Sequence, residues 1–235
     1  MFFWKKYTNL FLHNPLKDKA MLADHISCHA CWRQFRVWTA RSTGRKQWPA
    51  VLPCPVSDKN HNITFDGIKA STLSLNSSFY NVKFTDTTVT NTFDVRFSYG
   101  KFEVEKSKLK YCTIITNHDD IYLDTVSLFT IEARTQLGKL IAKDIYSKSM
   151  FEGTADKIFL KMKYPSNVTL NCHSVEMEIP ENTDFQASLN FVSPSDVTAD
   201  FEFQKTGNTL IHGNGNNVFK INTSTRFDKV KITKF

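Results

Sequence analysis

Gly100-Lys101-Phe102, Asp119-Asp120-Ile121, Gly138-Lys139-Leu140, Asp156-Lys157-Ile158 and His173-Ser174-Val175 repeat one signal: a turn residue, a polar residue, then the first apolar residue of a strand. The copies are spaced by 19, 19, 18 and 17 residues. Working outward, the segments before the turns also correspond, starting at Val95, Ile114, Ile131 and Met150, and a last copy stands at Asp228-Lys229-Val230-Lys231-Ile232. A unit of about 19 residues holds two or three short strands and two turns, enough for one rung of a solenoid. One rung cannot bury its own apolar face, so rungs must stack. Gly and Asp suit the turn slot because both tolerate tight or left-handed backbone.

The rest of the body agrees. Runs such as Tyr80-Asn81-Val82-Lys83-Phe84, Val175-Glu176-Met177-Glu178-Ile179 and Val218-Phe219-Lys220-Ile221 alternate with period two and are rich in β-branched and aromatic residues. No long stretch carries a 3.6-residue period with caps at both ends. The expected class is all-β, a parallel β-solenoid with rungs of about 19 residues. A β-sandwich is the alternative, since its strands also recur every 8–12 residues or so. The signature keeps its phase through four spacings, which favours the solenoid. Phe102, Val104, Ile121, Leu123, Leu140, Ile158 and Leu160 should face inward, and Lys101, Glu103, Asp120, Lys139 and Lys157 should face solvent. The C-terminal run Val230–Phe235 would be the open end strand, with its lysines discouraging edge pairing.

Charge divides the chain. The net charge of +7 sits entirely on residues 1–57, which hold nine Lys/Arg against two acids; residues 58–235 carry 21 of each sign. All four tryptophans lie in the same N-terminal part. Residues 1–57 are therefore expected to be a basic targeting or capping segment, with a boundary near Ser57–Asn60, and residues 58–235 the solenoid domain. Neutrality of the body argues against a nucleic-acid partner. No apolar run reaches the ~18 residues of a transmembrane helix. The basic, acid-poor start favours mitochondrial import, with a cytoplasmic location as the alternative; Pro15 and the absence of Arg before Arg33 count against a presequence. Five scattered cysteines give no disulfide framework and suit a reducing compartment.

Residues 63–235 resemble the adhesin family of β-solenoid domains of unknown function. The motifs are Gly213-Asn214-Gly215, the strand Val218-Phe219-Lys220-Ile221, the stretch Asn222-Thr223-Ser224-Thr225, and the closing Val230-Lys231-Ile232. The chain departs at Phe227-Asp228, where the family usually has Gly. Trp38, Gly44 and Leu52-Pro53-Cys54 are similar to the leading segment of animal, mitochondrial members. The resemblance implies no enzymatic activity.

Two constellations carry potential chemistry. Cys28-His29-Ala30-Cys31 with His25 and Cys54, and His61 further on, could supply soft and imidazole ligands to zinc. Cys54 and His61 do not form a tight second pair, so unliganded cysteines are the simpler reading. His118-Asp119-Asp120 with Asp124 places carboxylates beside a histidine, and paired carboxylates serve glycoside hydrolysis when they flank one bond. Asp119 and Asp120 also occupy the turn and polar slots of the repeat, which explains them without catalysis. Nucleophile-elbow, P-loop and dinucleotide motifs are absent from the sequence, and no cofactor is implied. Sequons at Asn62, Asn76, Asn167 and Asn222 matter only for a secreted chain. The expected function is a non-catalytic structural or interaction protein with a protein or carbohydrate partner. A saccharide-active β-helix enzyme using Asp119, Asp120 or Asp124 is the alternative.

Overall fold

The computed structural model describes residues 22–31, 34–40, 62–78, 81–190, 192, 197–223 and 229–235. Every regular element among them is a β-strand. The fold is a parallel β-solenoid with rungs about 19 residues apart, and its strands alternate between two facing sheets.

One sheet, here sheet B, starts at β3 (Asn62–Asp66) and continues through β5 (Asn81–Thr85), β7 (Phe102–Glu105), β9 (Ile121–Asp124), the first part of β11 (Lys139–Thr154), β12 (Lys157–Met162) and β14 (Ser174–Ile179). The other, sheet A, runs through β4 (Lys69–Ser78), β6 (Thr88–Ser98), β8 (Lys108–Thr116), β10 (Ser127–Thr135), the second part of β11, and β13 (Asn167–Cys172). Each pairing is parallel, and apart from one register shift each in the β4–β6, β6–β8, β10–β11 and β11–β12 pairings, identical slots stack. Phe102, Ile121, Leu140 and Ile158 are consecutive partners in sheet B, and all four are buried. Val104, Leu123 and Leu160 are buried in the neighbouring slot. The expected inward set is correct, and the stacking excludes the antiparallel sandwich.

The two sheets close on one core. Phe84 meets Phe93 edge to face at 5.2 Å, and Phe97 stacks on Phe102 at 5.1 Å, in both cases across the sheets. Gly153 occupies a slot filled by Ala133 and Leu170 on its neighbours, because Leu140 reaches across from sheet B; a Cβ there would stand 2.9 Å from Leu140 Cδ2.

The sequence alignment of sheet A needs correction. Val95 does pair with Ile114, but Ile114 pairs with Ala133 rather than Ile131, and Ile131 pairs with Phe151 rather than Met150. Ile131 and Ala133 both point inward, so a slip of two residues preserves the apolar pattern and is invisible in it. The step from Ile131 to Met150 is a slip of one, caused by an extra residue in β11 at the bulge between the Leu128 and Thr130 pairings.

Five successive corners that join sheet B to sheet A share one left-handed position. Gly67, Asp86, Lys106, Thr125 and Asp144 stand there with φ of +66°, +49°, +48°, +56° and +50°. Only one is glycine. A left-handed L-residue costs about 1–2 kcal/mol, and a β-branched one is the worst case. Thr125→Asn is therefore expected to stabilise the protein by about 1 kcal/mol, seen as a thermal midpoint about 2–4 °C higher. An unchanged or lower midpoint would contradict the strain.

The C-terminal end is built out of sequence order. After β14 the chain skips a place: β15 (Phe185–Asn190) and β16 (Val197–Ala199) take the outer rung. A hairpin of β17 (Gln204–Thr206) and β18 (Thr209–His212) then adds antiparallel to β15. The final strands return to fill the vacant places, β19 (Asn217–Thr223) between β13 and β15, and β20 (Lys229–Lys234) between β14 and β16. The C-terminal run is thus an interior strand, not the open end. Lys231 pairs with Glu176, and Lys234 Nζ donates to the Glu181 carbonyl, so these lysines serve rung-to-rung contacts. The edge role falls to the three-residue strands β16 and β17, whose shortness limits pairing with other chains.

At the other end, β1 (Leu22–Cys31) adds parallel to β4, and β2 (Gln34–Ala40) pairs antiparallel with β1. Strands from the basic segment thus extend sheet A. The expected boundary near Ser57–Asn60 lies outside the described residues.

Candidate functional site

The carboxylates that suggested saccharide chemistry are engaged in turns. Asp119 Oδ2 accepts from Thr116 Oγ1 at 2.9 Å, and its carbonyl accepts from Thr135 Oγ1 at 2.8 Å. Asp120 Oδ1 accepts the Lys139 backbone N–H at 2.8 Å, and Oδ2 accepts the Tyr122 hydroxyl at 3.1 Å. Asp124 Oδ1 accepts from Thr125 Oγ1 at 2.9 Å. Asp120 precedes β9 and Asp124 is its last residue, so at about 3.3 Å per residue their backbones stand roughly 13 Å apart. Paired carboxylates of glycosidases stand about 5–9.5 Å apart. His118 faces Tyr99, with ring centroids 5.6 Å apart. Asp120 and Asp124 are therefore too far apart to flank one bond.

Cys28 and Cys31 lie along β1, with Cys28 opposite Leu75 of β4 and Cys31 opposite Gln34 of β2; His25 is opposite Thr72. The whole segment is extended strand. Cys54 and His61 lie outside the described residues. Among the described residues no group of three His, Cys, Asp or Glu side chains is placed to hold a metal ion. Cys112 and Cys172 are buried in sheet A. Burial, with Asp94 nearby, pushes the Cys112 thiol far up from its ordinary range, so it stays protonated and unreactive.

The outer face of sheet B carries ion pairs that follow the rungs. Lys83 bonds Glu105 at 2.7 Å, Lys101 pairs with Glu103, Lys161 with Glu178 at 2.8 Å, and Lys231 with Glu176. Hydrogen bonds to these carboxylates hold all four amines above the ordinary lysine value of 10.5. Burial raises Tyr122 as well, helped by its bond to Asp120. A raised folded value contributes stability in full below the unfolded value and loses it as pH rises through the folded one. The thermal midpoint should therefore fall as pH climbs past about 10.5, in a melting series across alkaline pH. A midpoint independent of pH there would contradict the pairing. Exposed pairs of this kind contribute little each, so the fall should be shallow at first.

A different surface has the character of a binding site. β6 and β11 each carry an extra residue where the chain enters sheet A, Thr90-Asn91 and Lys148-Ser149, while β8 and β10 between them do not. Bulged strands bend away from the mean plane, which leaves a trough over β8 and β10. Its volume is about 330 Å³, near the lower end for ligand pockets. Val89, Leu109 and Leu128 form the floor, Thr88, Thr90 and Ser127 supply hydroxyls, and Lys108, Lys110, Lys148 and Phe129 form the walls. Phe129 is 41% exposed and meets Tyr111, 40% exposed, edge to face at 5.8 Å. Lys110 Nζ lies 5.1 Å from the centre of the Tyr111 ring. No acidic residue lines the trough. The sequence reading missed it, because each lysine alone reads as a solvated strand residue; the signal was the extra residue in β6 and β11.

No helix among the described residues is long and apolar enough to cross a membrane. No family model, curated protein or solved structure matches the chain.

Proposed function

We propose that this protein is a non-catalytic binding module, a rigid solenoid that holds a ligand in the trough over β8 and β10. The trough itself is the observation that carries this reading. It combines the exposed Phe129 ring packed on Tyr111, hydroxyls, and lysines without ion-pair partners among the described residues, on strands fixed by pairing on both sides. The saccharide-cleaving alternative has less support, since Asp119, Asp120 and Asp124 are committed to turns. A ligand array of glycans, peptides and oligonucleotides, probed with wild type and with Phe129→Ala/Lys148→Ala, tests it. Binding lost in the double variant is expected. Binding that never depends on the trough would overturn the reading, as would polysaccharide turnover abolished by Asp120→Asn.

Kinship with the adhesin family belongs to the same proposal. It is supported by the stacked rungs and by the turn Gly213-Asn214-Gly215, both of whose glycines take positive φ before β19. Mitochondrial import is proposed on the +7 charge confined to residues 1–57. A fusion of residues 1–60 to a fluorescent protein should collect in mitochondria, and a diffuse cytosolic signal would contradict import.

A further inference from the structure

We infer that the ligand of the trough is an acidic oligosaccharide, a chain of uronate sugars lying across β8 and β10; this rests on the reading of the trough as the binding site.

Three features of the trough select this class. The first is charge: Lys108, Lys110 and Lys148 have no ion pair among the described residues, whereas Lys83, Lys101, Lys161 and Lys231 on the other face are each held by a carboxylate. Amines that line one trough with no acid among its lining residues favour an anionic ligand. Lys108 and Lys110 are two residues apart on one strand, about 7 Å, and Lys148 is two strands away, about 10 Å. Lysines anchored to the backbone at this spacing fit charges repeated along a chain better than a single compact anion. The second is the ring pair. Phe129 and Tyr111 present exposed apolar surface beside the amines, which gives the hydrogen-bearing face of a sugar ring something to cover. The third is the row of hydroxyls Thr88, Thr90 and Ser127, which can both donate to and accept from sugar hydroxyls.

The same features weigh against other polyanions. Nucleic-acid affinity grows with the number of phosphates neutralised, and residues 58–235 carry no net charge from which to build a wide positive field. An acidic peptide would gain most from pairing with an exposed strand edge. The trough lies on a sheet face, and β8 and β10 already pair on both sides.

Calorimetric titration of the full chain with an alginate-derived uronate hexamer at low salt tests this. The hexamer should bind, and its neutral methyl ester should bind at least tenfold more weakly. Lys110→Ala/Lys148→Ala and Phe129→Ala should each weaken binding about tenfold or more, with melting curves confirming that they fold. Lys157→Ala on sheet B should leave it unchanged. No binding, equal binding of the ester, indifference to the trough variants, or equal or tighter binding of a hexaglutamate peptide or a single-stranded oligonucleotide overturns the inference. In the last case, a peptide or oligonucleotide lost with the trough variants leaves the binding-module reading standing and changes only the ligand class.

Discussion

Deletion of residues 217–235 is expected to abolish the folded state, although it removes only the last two strands. β19 and β20 form an interior rung, so their loss strips partners from β13 and β15 in one sheet and from β14 and β16 in the other. Phe219, Ile221, Val230 and Ile232 are each at most 1% exposed. At about 1.5–3 kcal/mol per buried side chain, these four alone contribute roughly 6–12 kcal/mol. That is comparable with the whole stability of a typical domain, about 5–15 kcal/mol. Phe219 also stacks on Phe185 at 4.7 Å, which ties the outer rung to the body. The truncated chain 1–216 should show no cooperative unfolding transition, and adding a synthetic peptide of residues 217–235 should restore one. A truncated chain that melts near the wild-type temperature would mean that the outer rung docks without the inserted strands.

The second large effect is expected at Gly138. Its conformation is not left-handed, so freedom of φ is not the reason for glycine. A Cβ at this position would fall far inside contact distance of the Asp119 carbonyl oxygen, the acceptor of the Thr135 hydroxyl. That hydroxyl in turn accepts the Gly138 N–H at 3.1 Å. The turns of two successive rungs are thus locked by one threonine, with no room for a methyl group. Gly138→Ala should cost about 2–4 kcal/mol, a fall in thermal midpoint of about 5–15 °C. Gly207 is the control: φ is +57° but nothing lies within 4 Å of its Cβ position, so Gly207→Ala should cost only about 1 kcal/mol. A cost at Gly138 no larger than that at Gly207 would mean that the Asp119 turn yields to the methyl group, and would contradict the close packing.

These two sites mark what the sequence could and could not tell. The rung period was legible because Phe102, Ile121, Leu140 and Ile158 repeat the same inward slot, and in-register parallel pairing demands that repetition. The turn slot was legible too, but its physical reason was misread for Gly138. The left-handed corner was not legible, since it is filled by Asp at 86 and 144 but by Lys106 and Thr125 between them, and only Gly67 advertises the conformation. The order of the last rungs was hidden for a different reason. β19 and β20 have the same alternating pattern wherever they insert, and pattern fixes which face is buried, not which neighbour a strand chooses. The trough was hidden because it brings Lys108 and Lys110 together with the sequence-distant Lys148 and depends on two bulges. Asp119, Asp120 and Asp124, adjacent in sequence and chemically suggestive, proved to be hydrogen-bond acceptors of the turns.

Rigidity links this architecture to binding. Every strand that builds the trough is paired on both sides, so its lysines and rings project from a fixed backbone, and ligand binding there need not order a loop. That rigidity depends on a closed stack, and the closure depends on the inserted C-terminal rung. The most direct test is the set of through-space proton contacts from the Val230 side chain, measured by nuclear magnetic resonance. Val230 is paired with Val175 on one side and Val197 on the other. Contacts to both are expected; contacts to Val175 with none to Val197 would make β20 an end strand and contradict the account.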